Sequence, residues 1–492
     1  MPQFPQTIHF IGSNTPRREE YSLSDLEIIG TIPKEIDGAF FRAVPENAQV
    51  PMFEDDVALS ADGMISRVLF ENGRVGFDIR YVKTARFLAE KAAGRALFGR
   101  YRNPFTDDPS VAGVDRTVAN TTPVWHGNRL LMTKEDGRGY EINPHTLETI
   151  GSWDYLGKLR SETMTAHPRI DPETGEMFFF GYEAGGLCSR DVAYCIADRA
   201  GNLVSEQWFD APYCSAIHDF CITENYAVFP IFPTTADLDR LKAGGEHWAH
   251  QQDLESWVAI LPRYGKAADI RWFRGPKGVS GFHHLNAFDV DGTVHVDICL
   301  SETNAFPFMR EAGGIHKDQR EIQGALTRWS FDMNKPDDVI IERPLGPPGD
   351  LPRLRDQDQG RAYAGGWYLS MNPQGGPPML GGPVGVNFNA LLRIEPETGK
   401  LDLMGLPPGA AISEPAHVVS STPGHGGWLL MVIDIPRSPV PGDYLSEVWI
   451  VEADRISAPP VAIIKIGRPL RSQVHGTWVS RQQLDSAVHK AG

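Results

Sequence analysis

Four of the 15 histidines stand in local contexts that could do chemistry together. They are His167 in Thr165-Ala166-His167-Pro168, His218 in Ile217-His218-Asp219-Phe220, His283 in Phe282-His283-His284-Leu285-Asn286-Ala287, and His475 in Val474-His475-Gly476-Thr477-Trp478. Successive members are 51, 65 and 192 residues apart. Those gaps far exceed the short spacings of a zinc-finger cage, so a site shared by all four has to be assembled by tertiary structure. Four neutral imidazoles would hold a divalent metal and leave coordination positions open; ligand type alone allows iron, zinc, copper or nickel. Six of the other histidines have plainer readings: His9, His425 and His489 lie in polar or terminal segments, His145 in a turn, and His247 and His250 on a stretch of helix formers from Ala236 to His250.

An architecture that brings such distant residues to one point is legible in the strand pattern. Short aromatic and β-branched runs bounded by Gly, Pro, Asp or Asn recur along the chain, among them Met177–Tyr182, Trp257–Leu261, Val294–Ile298, Trp428–Asp434 and Val448–Val451. One connector repeats between them: Asn143-Pro144-His145-Thr146-Leu147-Glu148, Asp171-Pro172-Glu173-Thr174-Gly175-Glu176 and Glu395-Pro396-Glu397-Thr398-Gly399-Lys400. Proline at its second place presets φ, and the flanking oxygens can bond nearby amides, so each reads as a hairpin turn. Many short strands with a weak internal repeat favour an all-β propeller, and seven blades of four strands suit 492 residues. Helix signals are few: Ser24–Glu27, Thr84–Ala93 and Ala236–His250. The Gly- and Pro-rich stretch Arg343–Gly382 reads as a long loop inside a single domain covering residues 1–492.

Composition narrows the partners. The 47 Lys and Arg against 63 Asp and Glu give a net charge of -16, which repels phosphate backbones and anionic lipid, so neither nucleic acid nor stable membrane insertion is expected. No apolar run approaches a membrane span, and the N-terminal residues carry no export-signal pattern. Five cysteines without a CxxC pair suggest neither a disulfide framework nor a zinc ribbon, and a reducing cytoplasm is the natural compartment.

The motifs, taken in order, resemble the carotenoid cleavage oxygenases over nearly the whole chain. They run from Gly30-Thr31-Ile32-Pro33 and Asp37-Gly38 through Asp62-Gly63-Met64-Ile65, Arg80–Thr84 and Ala119-Asn120-Thr121. They continue through the four histidine segments, Leu351-Pro352-Arg353 and Glu414-Pro415. The resemblance implies a seven-bladed propeller with a cap of loops and short helices over a non-haem Fe(II) bound by His167, His218, His283 and His475. The adjacent His284 does not align with a ligand. Three glutamates behind the histidines would fall on Glu135, Glu414 and, as an aspartate one methylene shorter, Asp350.

Within that family the segment Gly99–Phe105, with Tyr101, and Lys134 just before Glu135 resemble the lignostilbene dioxygenase branch, which implies that Tyr101 and Lys134 bind a substrate 4-hydroxyl. Neighbours on a strand point to opposite faces, so Lys134 and Glu135 can serve one site only at a strand end or bulge. A buried lysine also needs an acidic partner, and a phenol of pKa about 10 is one. Leu59 stands where the branch often has phenylalanine, and Ser66 replaces a common histidine to which no catalytic meaning attaches. The expected activity is O2-dependent cleavage of the central double bond of a 4-hydroxystilbene to two aromatic aldehydes, by a protein that the resemblance makes a homodimer. Cleavage of propenylphenols such as isoeugenol, or of apocarotenoids, is the near alternative, and a metal-free propeller used as a binding scaffold the distant one.

Overall fold

The computed structural model describes residues 3–314, 316–318, 321–383 and 385–490. Among these residues the chain forms seven sheets of four or more strands and one sheet of three. Two compact units emerge, one built from Met1–Asp154, Met371–Leu392 and Asp402–Gly492, the other from Tyr155–Ser370 and Arg393–Leu401.

The first unit contains three of the larger sheets. In one, Gly38–Pro45 pairs with Gly63–Glu71 on one side and with Gly476–Ser480 on the other, so segments from far apart in sequence share a ladder. The strand Arg74–Tyr81 pairs with the far side of Gly63–Glu71. Its side chains alternate, and Val75, Phe77, Ile79 and Tyr81 turn inward onto a core shared with Phe40, Val68, Leu430 and Ile450. The other two sheets of this unit run from Thr122 to Ser152 and through Trp428–Pro436 and Tyr444–Glu452.

The second unit stacks the sheets of Arg169–Asp210, Cys221–Lys277 and Ser280–Gly346. Met177–Tyr182 is buried along its whole length, because its aromatic run packs on both faces of the sheet. Phe229 gathers Phe180, Phe220, Phe209 and Tyr194 at ring-centroid distances of 5.2–5.7 Å. Each such ring contributes on the order of 1.5–3 kcal/mol by burial.

The repeated connector forms the expected hairpin turn in all three places. Asn143 Oδ1 accepts from the amides of His145 and Thr146, and Asp171 Oδ1 from those of Glu173 and Thr174. The fifth position is left-handed each time: Gly175 and Gly399 adopt it freely, whereas Leu147 takes φ 61° and buries its side chain in the core.

The helix expectations hold only in part. Thr84 caps the helix Ala85–Ala93 through its hydroxyl, which accepts from Phe87 N at 3.2 Å. Ser24–Glu27 is instead a bend between two strands, since Leu26 N bonds Val75 O and the chain goes straight into the strand Glu27–Gly30. In Ala236–His250 only Leu238–Lys242 is helical; Gly244 and Gly245 end it, and His250 belongs to a short strand paired with Thr234–Thr235. Arg343–Gly382 is no continuous loop, because Gly349–Arg353 and Gly366–Ser370 pair as strands of the seventh larger sheet. None of the five cysteines is in a disulfide. Among the described residues no helix is long and apolar enough to cross a membrane.

Candidate metal centre

Three of the four histidines lie on or just before separate edge strands. His167 and Pro168 lead into Arg169–Ile170, and the proline holds His167 extended. His218 lies three residues before Cys221–Ile222, and His283 is inside Ser280–Val290. Around His283 the ladder slips, with Gly281 opposite Leu300 but His284 opposite Ile298. That irregularity lets two consecutive side chains address one neighbour. Phe282 stacks on the His218 ring at 4.0 Å, while His283 Nε2 reaches His218 Nε2 at 3.1 Å. Gly281 is required here, since a Cβ would lie 2.7 Å from the Phe232 ring.

His475 directly precedes Gly476–Ser480 and is fixed by its backbone, its N bonding Thr121 O and its carbonyl accepting from Ala43 N. Its Nδ1 lies 3.2 Å from Glu414 Oε1, and Gly476 N donates to Glu414 Oε2 at 3.2 Å. Arg42, wholly buried, donates to the carbonyls of Glu414 and, at 2.6 Å, Val474, tying both ends of this contact together. Gly476 is again sterically required, as a Cβ would come within 2.9 Å of Phe40 and of the Phe41 carbonyl.

One ring nitrogen from each of His167, His218, His283 and His475 lies within 4.8 Å of the others. His167 Nε2 is 2.9 Å from His218 Nε2. Nitrogens bound at right angles to one ion, each at about 2.1 Å, are about 3.0 Å apart, so the spacing fits a shared metal ion. The chemistry of the donors agrees. His283 Nδ1 is 2.7 Å from Asp350 Oδ1, and His475 Nδ1 faces Glu414. A carboxylate at Nδ1 keeps the proton there and leaves Nε2 as a lone pair for metal. Asp350 thus reaches its histidine directly despite its shorter side chain; Leu351, at φ 53°, turns the chain there and donates its N–H to the same Asp350 oxygen.

Glu135 is buried and lies 4.0 Å from Lys134 Nζ. Each of the seven larger sheets carries, on or beside one of its strands, one of the four histidines or one of the three acids that the family resemblance singles out. His284 stays outside the cluster. Burial and nearby Arg169, partly offset by Asp219, push its pKa down to about 4, and neither ring nitrogen has a hydrogen-bond partner among the described groups.

The strand Arg129–Thr133 ends just before Lys134, which supplies the strand end that the sequence demanded: Lys134 and Glu135 both turn inward. Lys134 Nζ sits 5.2 Å over the Tyr101 ring, and its side chain is 2% exposed. Burial opposes its charge, but Tyr101, Glu135 and Asp136 outweigh that and hold its pKa above the ordinary lysine value. Tyr101 is held neutral, raised by burial and by Glu135 against the pull of Lys134. Leu59 lies on a single 3-10 turn, Ala58–Ser60, which Asn120 Nδ2 anchors through the carbonyls of Leu59 at 3.0 Å and Ala61 at 2.8 Å. Sequence reasoning gave no role to Asn120 or Phe282; the signal available was an amide next to Thr121 and an aromatic ring next to one of the four clustered histidines.

Residues 14–480 match the profile of the family described as RPE65, retinal pigment epithelial membrane protein. The chain is 39% identical over 477 residues to isoeugenol monooxygenase of Pseudomonas nitroreducens, covering 96% of this chain and 98% of that protein. It is 36% identical over 496 residues to lignostilbene-alpha,beta-dioxygenase isozyme III of Sphingomonas paucimobilis, covering 99% and 100%. The crystal structure of Pseudomonas brassicacearum lignostilbene dioxygenase superposes with a TM-score of 0.92 at 36% identity, covering 98% of this chain and 100% of that one.

Proposed function

The chain belongs to the RPE65/carotenoid cleavage oxygenase family and is an alkene-cleaving dioxygenase, and from that premise we propose that its substrate is a 4-hydroxystilbene of the lignostilbene type, cut at the central double bond. The observation that carries this reading is a lysine buried beside a tyrosine, Lys134 over Tyr101, in a protein whose relatives act on phenols.

His167, His218, His283 and His475 would hold the metal as Fe(II), with Asp350 and Glu414 orienting two of the rings. When bound, ferrous iron supplies the activation of dioxygen. The chain's own work is at the far end of the substrate. The substrate 4-hydroxyl loses its proton to solvent as it enters, the Lys134 ammonium stabilises the resulting phenolate, and the Tyr101 hydroxyl donates a hydrogen bond to the same oxygen. Phenolate charge delocalises through the ring and makes the alkene carbon electron-rich. Cleavage adds one oxygen atom of O2 to each alkene carbon, giving two aldehydes with no other reductant.

A second reading, a propenylphenol such as isoeugenol, is favoured by the 39% identity to isoeugenol monooxygenase and by Leu59, which offers a second aromatic ring no stacking partner. We further infer that residues 1–492 act as one propeller domain with the seven larger sheets as blades, working as a cytoplasmic homodimer in the breakdown of lignin-derived aromatics. The test is product analysis with a hydroxystilbene, isoeugenol, an apocarotenal and a 4-methoxystilbene, alongside iron quantitation. Stoichiometric iron with 4-hydroxystilbene preferred supports the proposal. Equal cleavage of the 4-methoxystilbene removes the phenolate step, isoeugenol preference selects the second reading, and absence of iron and of oxygen uptake leaves a binding scaffold.

A further inference from the structure

Shortly after each of three ligand histidines, the chain contributes to a single buried ion pair. Arg169, two residues beyond His167, donates from Nη2 to both Asp219 carboxylate oxygens at 2.7 Å and from Nε to Phe220 O at 2.8 Å. The same Nη2 faces the His284 carbonyl at 3.3 Å, and Nη1 faces Gln359 Oε1 at 3.4 Å. Asp219, one residue beyond His218, accepts from Phe220 N at 2.8 Å through Oδ1 and from His284 N at 2.9 Å through Oδ2. Asp219 is 1% exposed and Arg169 14%.

The ion pair ties these three segments to one another where the strand ladders do not. His218 lies before its strand begins to pair, and His283 lies where the ladder has slipped. A buried ion pair is weak as a source of stability, because desolvation consumes most of its attraction. As a spacer it is well suited, since the planar guanidinium offers donors in a fixed fork that a lysine cannot reproduce.

We propose that Arg169 and Asp219 are positioning residues that set the separation of His167, His218 and His283 for metal binding. The inference rests on the reading of those histidines as metal ligands. Its test uses the full-length protein, freed of metal and titrated with Co(II) against a competing chelator, as wild type, Arg169→Lys and Asp219→Asn. Each variant is expected to bind Co(II) about tenfold or more weakly. The visible Co(II) spectrum should change and kcat should fall at nearly constant KM, while the metal-free variants lose some stability, as removal of one partner of a buried pair requires, but stay folded at the assay temperature. Wild-type affinity and spectrum in both variants overturn the proposal. So does an affinity loss fully accounted for by the unfolded fraction of the metal-free variant. If Arg169→Lys does not fold, Asp219→Asn, which preserves volume and an acceptor for His284 N, decides on the same readouts. A wild-type protein that takes up no Co(II) overturns the metal reading itself, whereas wild-type binding with unaffected variants overturns only the positioning role.

Discussion

Replacing Lys134 by methionine removes one ammonium and leaves the length of the side chain nearly unchanged. In the structure Nζ is 4.0 Å from Glu135 Oε2 and 5.2 Å from the Tyr101 ring centre, with the side chain 2% exposed. Two charges 4 Å apart at an effective dielectric of 20 attract by about 4 kcal/mol, an upper bound for the Lys134–phenolate contact. Hydrogen bonds to charged groups contribute about 1.5–3 kcal/mol net. Taking about 2–3 kcal/mol, kcat/KM for a 4-hydroxystilbene should fall about 30- to 150-fold. The pH profile tests the cause. Without the cation the bound phenol's pKa returns toward about 10, so the variant's rate should climb about tenfold per pH unit on the alkaline side while the wild type stays flat. Iron content should not change, since Lys134 is not among the four clustered residues. An unchanged kcat/KM, or a loss with no change in pH profile, would refute the phenolate argument.

Asp350→Glu should weaken metal binding about tenfold although it lengthens the side chain, because the 2.7 Å contact to His283 Nδ1 is already made by the shorter one; competition titration checks this, and tighter binding contradicts it. Asp434 is half-buried, and desolvation raises its pKa to about 7. Its folded pKa exceeds the unfolded one, so the stability it gives is present below about pH 4 and is lost as pH rises through 7. Asp434→Asn should therefore flatten the fall in urea midpoint between about pH 4 and 7, an effect of at most about 4 kcal/mol. Leu59→Phe should favour the stilbene over isoeugenol about three- to tenfold in kcat/KM, the value of one added ring contact, and an unchanged ratio would take Leu59 out of the substrate pocket.

The strands and turns were legible because each carries a local signal. Met177–Tyr182 is a strand by its run of aromatics, and Asn143–Glu148 a turn by its Asn-Pro start. Ser24–Glu27 misled because an apparent cap precedes no helical periodicity; the chain there is claimed by strand pairing. In Ala236–His250 helix formers were outweighed by Gly244, Gly245 and by pairing with Thr234–Thr235. The four histidines were readable from their flanking residues, and Asp350 as well, but not the directness of its bond, which depends on the backbone turn at Leu351. Arg169 carried no signal, since an arginine beside a strand start is ordinary until its partners are known.

The pairing of Gly38–Pro45 with Gly476–Ser480 has a kinetic consequence. Arg42 and Val474, which brace His475, meet across 432 positions of chain. Contacts that close so large a loop form late, since the entropy of closure is lost before any gain is realised. Three imidazoles can be in place while the fourth is still searching. Metal added to the refolding chain should leave the early phases untouched and be captured only with the final one, so iron uptake would report completion of the fold.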